Sequence, residues 1–256
     1  MIMPFIDWPA IHAKKQGGAL TFFLRLVSFI YGSAVLLRLI FYRIGLFRGK
    51  PLPSYVVSVG NITTGGTGKT PYIVMLADWA VKKGFSTVIL SRGYKRKRSK
   101  DSLIVSDGKK LLASADNAGD EPYLLAKRLP SVPVLVSKKR YETGNWAIRL
   151  FKPELILLDD GFQHLSLNRN LNILLIDAKR RFGNGFLIPR GPLREPLGQI
   201  KRADIIIITR CTDDDSAEDL SDFLKENFSK KPILRSGFFP DQIIFPVSGK
   251  SCKPEV

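Results

Sequence analysis

SVGNITTGGTGKTP, residues 58–71, is the stretch that decides the fold. It leaves an apolar run, YVVSV at 55–59, and enters a helix-like segment from Pro71 to Lys83. Proline suits the first turn of a helix, where its missing N–H forfeits no hydrogen bond. Gly65, Gly66 and Gly68 let successive backbone N–H groups turn inward, and the helix N-terminus adds positive potential. The product is a cradle for phosphate oxygens, built from Thr63, Thr64, Gly65, Gly66, Thr67, Gly68, Lys69 and Thr70. The spacing G-x-x-x-x-G-K-[ST] is met except at its first glycine, where Thr63 stands. In such a loop Lys69 neutralises β- and γ-phosphate charge and the Thr70 hydroxyl ligates Mg²⁺. The expected ligand is a nucleoside triphosphate with its magnesium.

Downstream, short apolar runs recur at 87–90 (TVIL), 134–136 (VLV), 155–158 (LILL), 172–176 (NILLI) and 205–208 (IIII). They are continuous rather than alternating, as in a parallel sheet buried on both faces. Helix-like stretches fall between several of them, at 71–83, 121–129, 139–150 and 217–227. The expected class is therefore α/β, a P-loop NTPase-like doubly wound, mostly parallel sheet. No internal repeat or low-complexity segment interrupts it, and strand order is not readable.

A phosphate loop needs a carboxylate for its metal, normally at the end of a neighbouring hydrophobic strand. LILLDDGFQH, residues 155–164, supplies Asp159 and Asp160, with Asp159 favoured as the first residue past the strand. His164 lies at the same strand mouth. In AGDEPYLLAKR, residues 118–128, Asp120 is either a helix cap or a base for a hydroxyl acceptor, with Glu121 beside it. RRFGNGFLIPRGPLREPL, residues 180–197, is too rich in Gly and Pro for a regular element and reads as an ordered loop or a lid. There Arg190 and Arg194 are candidates to grip phosphate, and Glu195 to join the metal shell.

The chain of 256 residues is 45% hydrophobic and 25% charged, which excludes collagen, coiled coil and bulk disorder. Two cysteines and two histidines build neither a disulfide framework nor a zinc cluster, and a reducing compartment fits best. The net charge of +17 calls for an anionic partner. No acidic residue occurs between Asp7 and Asp78, whereas eight basic residues do. This basic interval contains the apolar stretch LTFFLRLVSFIYGSAVLLRLIFYRIGLF, residues 20–47. Its longest uncharged run, Leu26 to Leu37, is 12 residues, short of the ~20 that span a bilayer. Aromatics mixed with arginines suit a helix lying in the membrane interface. A second basic run, at 92–100, has only Tyr94 as an interleaved aromatic, so no nucleic-acid partner is expected. The expected divisions are a membrane-associating segment at 1–50, a P-loop core at 51–235 and a C-terminal segment at 236–256.

Taken together, VGNITTGGTGKTP, LSRGYKRK, GDEPYLLAKR, VPVLVSKKRYETG, LLDDGFQHLSLNRNLNILLID and FGNGFLIPRGPLREPL resemble the tetraacyldisaccharide 4′-kinases, in family order over roughly residues 20–210. The resemblance extends to Thr63. It implies ATP- and Mg²⁺-dependent phosphorylation of the 4′-hydroxyl of a tetraacylated glucosamine disaccharide 1-phosphate. The setting would be the cytoplasmic face of a bacterial inner membrane, with the protein as a monomer. It also implies Lys69 and Thr70 at the nucleotide, Asp159 and Asp160 as the metal-side pair, and Asp120 as the residue that helps deprotonate the sugar. Glu121, Gln163, His164, Arg194 and Glu195 would line the site. Family members continue into a C-terminal Phe-x-Asp-His type motif, whereas the histidines here are His12 and His164. The resemblance therefore implies a truncated or divergent C-terminal lobe, with nucleotide binding kept and turnover impaired. The alternative, a membrane-recruited partition or positioning ATPase, usually carries a lysine where Thr64 stands and gives no reason for the PLREP loop.

Overall fold

The computed structural model describes residues 18–94, 96, 102–211, 216–237, 243–244 and 251–252. Most of the 92–100 basic run and of the 236–256 segment, together with residues 1–17, lies outside them.

An N-terminal helix α1 (Ala19–Arg43) precedes β1 (Tyr55–Asn61), the phosphate loop and α2 (Lys69–Lys82). Then follow β2 (Thr87–Ser91), β3 (Leu103–Asp107), the short α3 (Ala115–Ala118), α4 (Asp120–Arg128), β4 (Pro133–Val136), α5 (Arg140–Phe151) and β5 (Leu155–Asp159). The chain continues through β6 (Leu171–Asp177), a 3₁₀ turn (Leu197–Arg202), β7 (Ile205–Thr209), α6 (Ser216–Phe228) and β8 (Ile233–Arg235). A two-stranded antiparallel pair, β9 (Ile243–Ile244) with β10 (Ser251–Cys252), stands apart.

The main sheet has eight strands in the order β3-β4-β2-β5-β1-β6-β7-β8. All pairings are parallel except β3 with β4. The doubly wound expectation therefore holds, and the four helices expected between the strands fall within two residues of their expected bounds, whereas the short α3 was not expected. Two strands of the main sheet, and the separate β9–β10 pair, were not anticipated. β3 is an antiparallel edge strand with a register shift, and β8 is only three residues long.

Strand side chains alternate between two helical layers. Val57 and Val59 of β1 pack with Tyr72, Ile73 and Ala77 of α2 and with Leu125 of α4. Val56, on the opposite face, packs with Ala147 of α5. On that same face Leu174, Ile176, Ile206 and Ile208 meet Leu220 and Leu224 of α6. Burial on both faces explains why the strands read as unbroken apolar runs.

From β1 the chain first winds toward β2, then returns through β5 and leaves to the other side through β6 and β7. Such a reversal of winding opens a crevice at the carboxyl ends of the strands, where ligands of open α/β sheets bind. Here the crevice falls at the end of β1.

α1 docks through a narrow stripe. Leu24 and Ser28 are buried, and Gly32 sits where an added Cβ would collide with Leu187. The Ser28 hydroxyl donates to the Leu187 carbonyl (2.9 Å) and accepts from the Arg190 amide (2.9 Å). Tyr31 donates to the Arg194 carbonyl (2.8 Å) and Arg38 to that of Gln163 (2.9 Å). The remaining apolar surface faces outward, with Phe22 75% and Phe29 73% exposed. By length and composition α1 is also the one helix among the described residues apolar enough to cross a membrane.

Candidate active site

The loop after β1 is shaped by two left-handed glycines, Gly65 (φ +101°) and Gly68 (φ +80°), the second of which precedes the first turn of α2. Thr63 has no positive φ. It pairs in an isolated antiparallel bridge with Leu193, while Thr64 N–H donates to the Pro192 carbonyl (2.7 Å). A glycine is unnecessary at that position, because the backbone there is extended and held by the 180–197 loop. That loop is ordered: Asn184 bonds the Arg190 carbonyl (3.0 Å), and Arg194 N–H donates to Ile62 (2.8 Å).

Lys69 opens α2 and turns its ammonium to Asn61 Oδ1 (3.2 Å) and Asp160 Oδ1 (3.7 Å). Asp160 adopts φ +50°, and Arg194 Nη1 donates to both its oxygens (2.9 and 2.8 Å). Burial alone would raise the Asp160 pKa, but Arg194 and Lys69 outweigh it and hold the carboxyl below its usual range. Gln163 ties this group to β1 by donating to the Asn61 carbonyl (2.9 Å). The close approach of the DDGF turn to β1 needs Gly60, since a Cβ there would overlap Phe162.

Asp159 differs sharply from its neighbour. It is 2% exposed, Oδ2 accepts from Ser91 Oγ (2.8 Å), and Oδ1 is buried with no partner. Burial pushes its pKa up to about 6. A buried carboxylate oxygen without a donor is costly unless a cation completes it. Asp159 therefore fits the Mg²⁺ of a nucleotide, with Thr70 one helical position beyond Lys69. Asp160, with both oxygens engaged by Arg194, serves instead to hold cations around the loop.

Glu195 Oε1, like Asp159 Oδ1, is buried without a partner, while its other carboxylate oxygen is held by Arg202. It is 1% exposed, paired with Arg202, and near the charges of Arg38, Arg169 and Arg194. Among the described residues no three of His, Cys, Asp and Glu form a metal-holding group. Arg190, expected to grip phosphate, is instead enclosed. It is 2% exposed, its guanidinium stacks over Phe186 (5.1 Å), and its amide is held by α1. That expectation rested on charge in a flexible-looking loop; burial against α1 redirects the Arg190 side chain.

Asp120 is the first residue of α4 but not its cap: Gly119 (φ +90°) takes that place and no side chain caps the helix. Gly119 also lets the turn approach Tyr94, whose carbonyl a Cβ would meet at 2.7 Å. Asp120 and Glu121 are exposed, and Glu121 is close enough to raise the Asp159 pKa. An exposed carboxylate at the head of a helix facing the crevice is open to an incoming hydroxyl.

His164 is partly buried, with Nε2 3.1 Å from Ser166 Oγ. Burial, then the charges of Arg140 and Arg169, lower its pKa to about 3 from 6.5. Unfolded, the ring takes up a proton below 6.5; folded, it stays neutral until about 3, so stability is lost as pH falls through that window. Between pH 7 and pH 5 this amounts to about 2 kcal/mol. Asp159, with its raised pKa, acts in the opposite sense below pH 6, so the comparison must be between variants. Urea unfolding of His164→Gln and wild type should show stabilities converging by about 2 kcal/mol from pH 7 to pH 5 in favour of the variant. Parallel pH profiles would show that the imidazole is not held neutral.

Several site residues carried no sequence signal of their own. Ser91 ends β2, and Asn61 ends β1. Arg140 begins α5 and donates to the Asp159 and Asp160 carbonyls (2.6 and 3.1 Å). All lie at the same carboxyl edge of the sheet, so strand order, once known, finds them.

A family model described as tetraacyldisaccharide-1-P 4′-kinase matches residues 20–250. The tetraacyldisaccharide 4′-kinase of Pelobacter propionicus is 44% identical over 184 residues, 72% of this chain and 51% of that protein. The enzyme of the same name from Syntrophus aciditrophicus is 45% identical over 203 residues, 79% of this chain and 54% of its own. The chain thus spans about half the length of these relatives. The crystal structure of LpxK from Aquifex aeolicus in complex with ATP superposes with a TM-score of 0.69 at 36% identity, covering 87% of this chain and 82% of that one. With the glycine loop, the Asp159–Asp160 turn and the PLREP loop all in place, the chain belongs to the tetraacyldisaccharide-1-P 4′-kinase family.

Proposed function

We propose that this protein transfers the γ-phosphate of ATP to the 4′-hydroxyl of a tetraacylated glucosamine disaccharide 1-phosphate, working at the cytoplasmic surface of a membrane. The observation that carries this reading is the pairing of an unpartnered, buried Asp159 oxygen with a Lys69–Asp160–Arg194 charge network at the mouth of a phosphate loop. The loop amides and Lys69 hold the triphosphate, and Arg194 stands where charge develops during transfer. Asp159 and Thr70 would hold Mg²⁺, which supplies neutralisation of the phosphate charge. Asp120 accepts the proton of the attacking hydroxyl as the new oxygen–phosphorus bond forms and the bond to the leaving diphosphate breaks. Glu121, Gln163 and the neutral His164 lie around the acceptor side.

The exposed aromatics of α1, with Arg25 and Arg43, suit an interfacial position, the guanidinium groups reaching lipid headgroups. Tyr31 and Arg38 bond the carbonyls of Arg194 and Gln163, so the same helix supports the catalytic loop.

The test is transfer of labelled γ-phosphate from Mg·ATP to the monophosphorylated tetraacyl disaccharide in detergent micelles. Product from the wild-type chain, absent without acceptor and lost in Asp159→Asn, is the expected result. ATP binding without product would refute the proposed transfer by this chain.

A further inference from the structure

The crest of the phosphate loop is formed by Gly65 and Gly66, both exposed. Two guanidinium groups reach it from the side of β1 opposite Asp159. Arg180 Nη1 lies 3.0 Å from the point where a Cβ on Gly65 would stand, and Arg210 Nη2 lies 3.7 Å from the corresponding point on Gly66. These arginines follow β6 and β7 at the carboxyl edge of the sheet.

One buried carboxylate organises both. Asp177, 1% exposed, ends β6. Its Oδ1 accepts from the backbone amides of Lys179 (3.0 Å) and Arg180 (2.9 Å), shaping the turn that carries Arg180. Its Oδ2 accepts from Arg210 Nη1 (2.9 Å). Arg210 itself sits at φ +58°, and the preceding Thr209 hydroxyl donates to the Thr67 carbonyl (3.0 Å), which joins the end of β7 to the loop. The two arginines are therefore placed relative to the loop by bonds to buried groups.

The charges do not balance locally. Asp177 offsets Arg210, and Asp160 is shared by Lys69 and Arg194. Among the described residues the Arg180 side chain has no hydrogen-bond or ion-pair partner. It is nevertheless directed to a loop whose glycine backbone and adjoining helix N-terminus already create positive potential. A cation in that position is unfavourable until an anion lies between it and the loop. An anion with several oxygens, held by the loop amides on one side, presents the remaining oxygens to a guanidinium fork on the other.

We propose that Arg180, placed by Asp177 and flanked by Arg210, is a second polyphosphate-binding cation of the nucleotide site, closing over the phosphates from the side opposite Asp159. This deepens, and rests on, the reading of the loop as a nucleoside triphosphate site. Lys69 then meets the phosphates from the start of α2 and Arg180 from β6, so the triphosphate is held between two elements of the sheet edge.

The experiment is calorimetric titration of the full chain in detergent with Mg·ATP and with AMP. The variants are Arg180→Ala, Arg180→Lys, Arg210→Ala, and Lys110→Ala as a charge-matched control on the far edge of the sheet. Arg180→Ala should weaken ATP binding roughly tenfold or more, the scale of a lost charged hydrogen bond. Arg180→Lys should lose less, because it keeps the charge without the fork. AMP, with a single phosphate, should be less affected than ATP, and Lys110→Ala should match wild type. Since Arg180 is exposed and unpaired, thermal unfolding of Arg180→Ala should coincide with wild type. Wild-type ATP affinity in Arg180→Ala, or an equal loss in Lys110→Ala, would overturn the proposal while leaving the nucleotide site standing. A wild-type chain that binds no ATP would overturn the nucleotide reading and the proposal with it.

Discussion

Asp159→Asn is expected to lower phosphoryl transfer by roughly 10²–10³-fold, the scale of removing one pre-organised electrostatic group from an active site, while the metal-free protein is at least as stable as wild type above pH 7. The two halves of this expectation have one cause. Asp159 is enclosed by the ends of β1, β2 and β5, with Ser91 on one oxygen and nothing on the other. Its pKa of about 6 records the cost of keeping it ionised there. Because the folded pKa lies above the ordinary aspartate value of 3.8, folding is disfavoured above pH 6 relative to the protonated form. The corresponding penalty is about 3 kcal/mol. Asparagine keeps the shape and an acceptor for Ser91 but carries no charge, so it removes most of this penalty together with the proposed magnesium ligand. Sites of this kind exchange stability for function. Calorimetric melting at pH 8 and pH 5, paired with the transfer assay, checks both halves. The stability gap in favour of the variant should shrink toward pH 5, where wild-type Asp159 is itself largely protonated. Transfer retained within a few-fold would remove Asp159 from the metal role. A variant much less stable at pH 8 would show that the carboxylate is a structural acceptor.

The contrast between Asp159 and Asp160 marks how far residue pattern alone could go. Two adjacent aspartates after LILL announced a site, and the glycine loop announced its ligand class. Which aspartate meets Arg194 depends on the positive φ at Asp160, which turns that carboxylate toward Lys69 and the PLREP loop. No composition or periodicity encodes that turn. The burial of Glu195 and Arg190 was not legible for a related reason: both are charged side chains in a Gly- and Pro-rich loop that reads as solvated. In the structure α1 covers Arg190, while Arg202 neutralises Glu195 from the following 3₁₀ turn.

α1 was legible as apolar and basic but not as an organised surface. Its docking stripe runs through Leu24, Ser28, Tyr31 and Gly32, spaced by four, three and one, which is one face of a helix. That stripe is polar as much as apolar, because α1 meets loop backbone rather than a sheet, and hydroxyls satisfy the loop carbonyls. Hydrophobic patterning therefore saw only the outward side. In the sheet the converse held. Strands buried on both faces announced themselves, while β3, at an antiparallel edge with a register shift, and the three-residue β8 did not.

Arg140→Met should destabilise the protein by about 3 kcal/mol, the range seen when one partner of a buried charged group is removed, and should abolish most activity as well. Arg140 is 3% exposed at the start of α5, yet its charge is retained because Nη2 and Nη1 bond the carbonyls of Asp159 and Asp160. Its pKa is lowered by burial and drawn back up by those two aspartates. Methionine fills similar volume, so the loss arises from two buried carbonyls left without donors. Asp160 adds to it: a non-glycine residue at φ +50° is held there at a cost, and the guanidinium on its carbonyl is part of what holds it. Released, Asp160 can relax away from Arg194 and Lys69, which disperses the charge network at the mouth of the phosphate loop. Arg140→Lys should recover part of the stability but less of the activity, since one ammonium on a flexible stem does not reproduce a fork that spans two carbonyls. Denaturant unfolding of the three proteins, with transfer measured below each one's transition, separates the contributions. If Arg140→Met lost less than about 1 kcal/mol, the two carbonyls would have found other donors, and the geometry of Asp160 would have to be maintained by Arg194 and Lys69 alone.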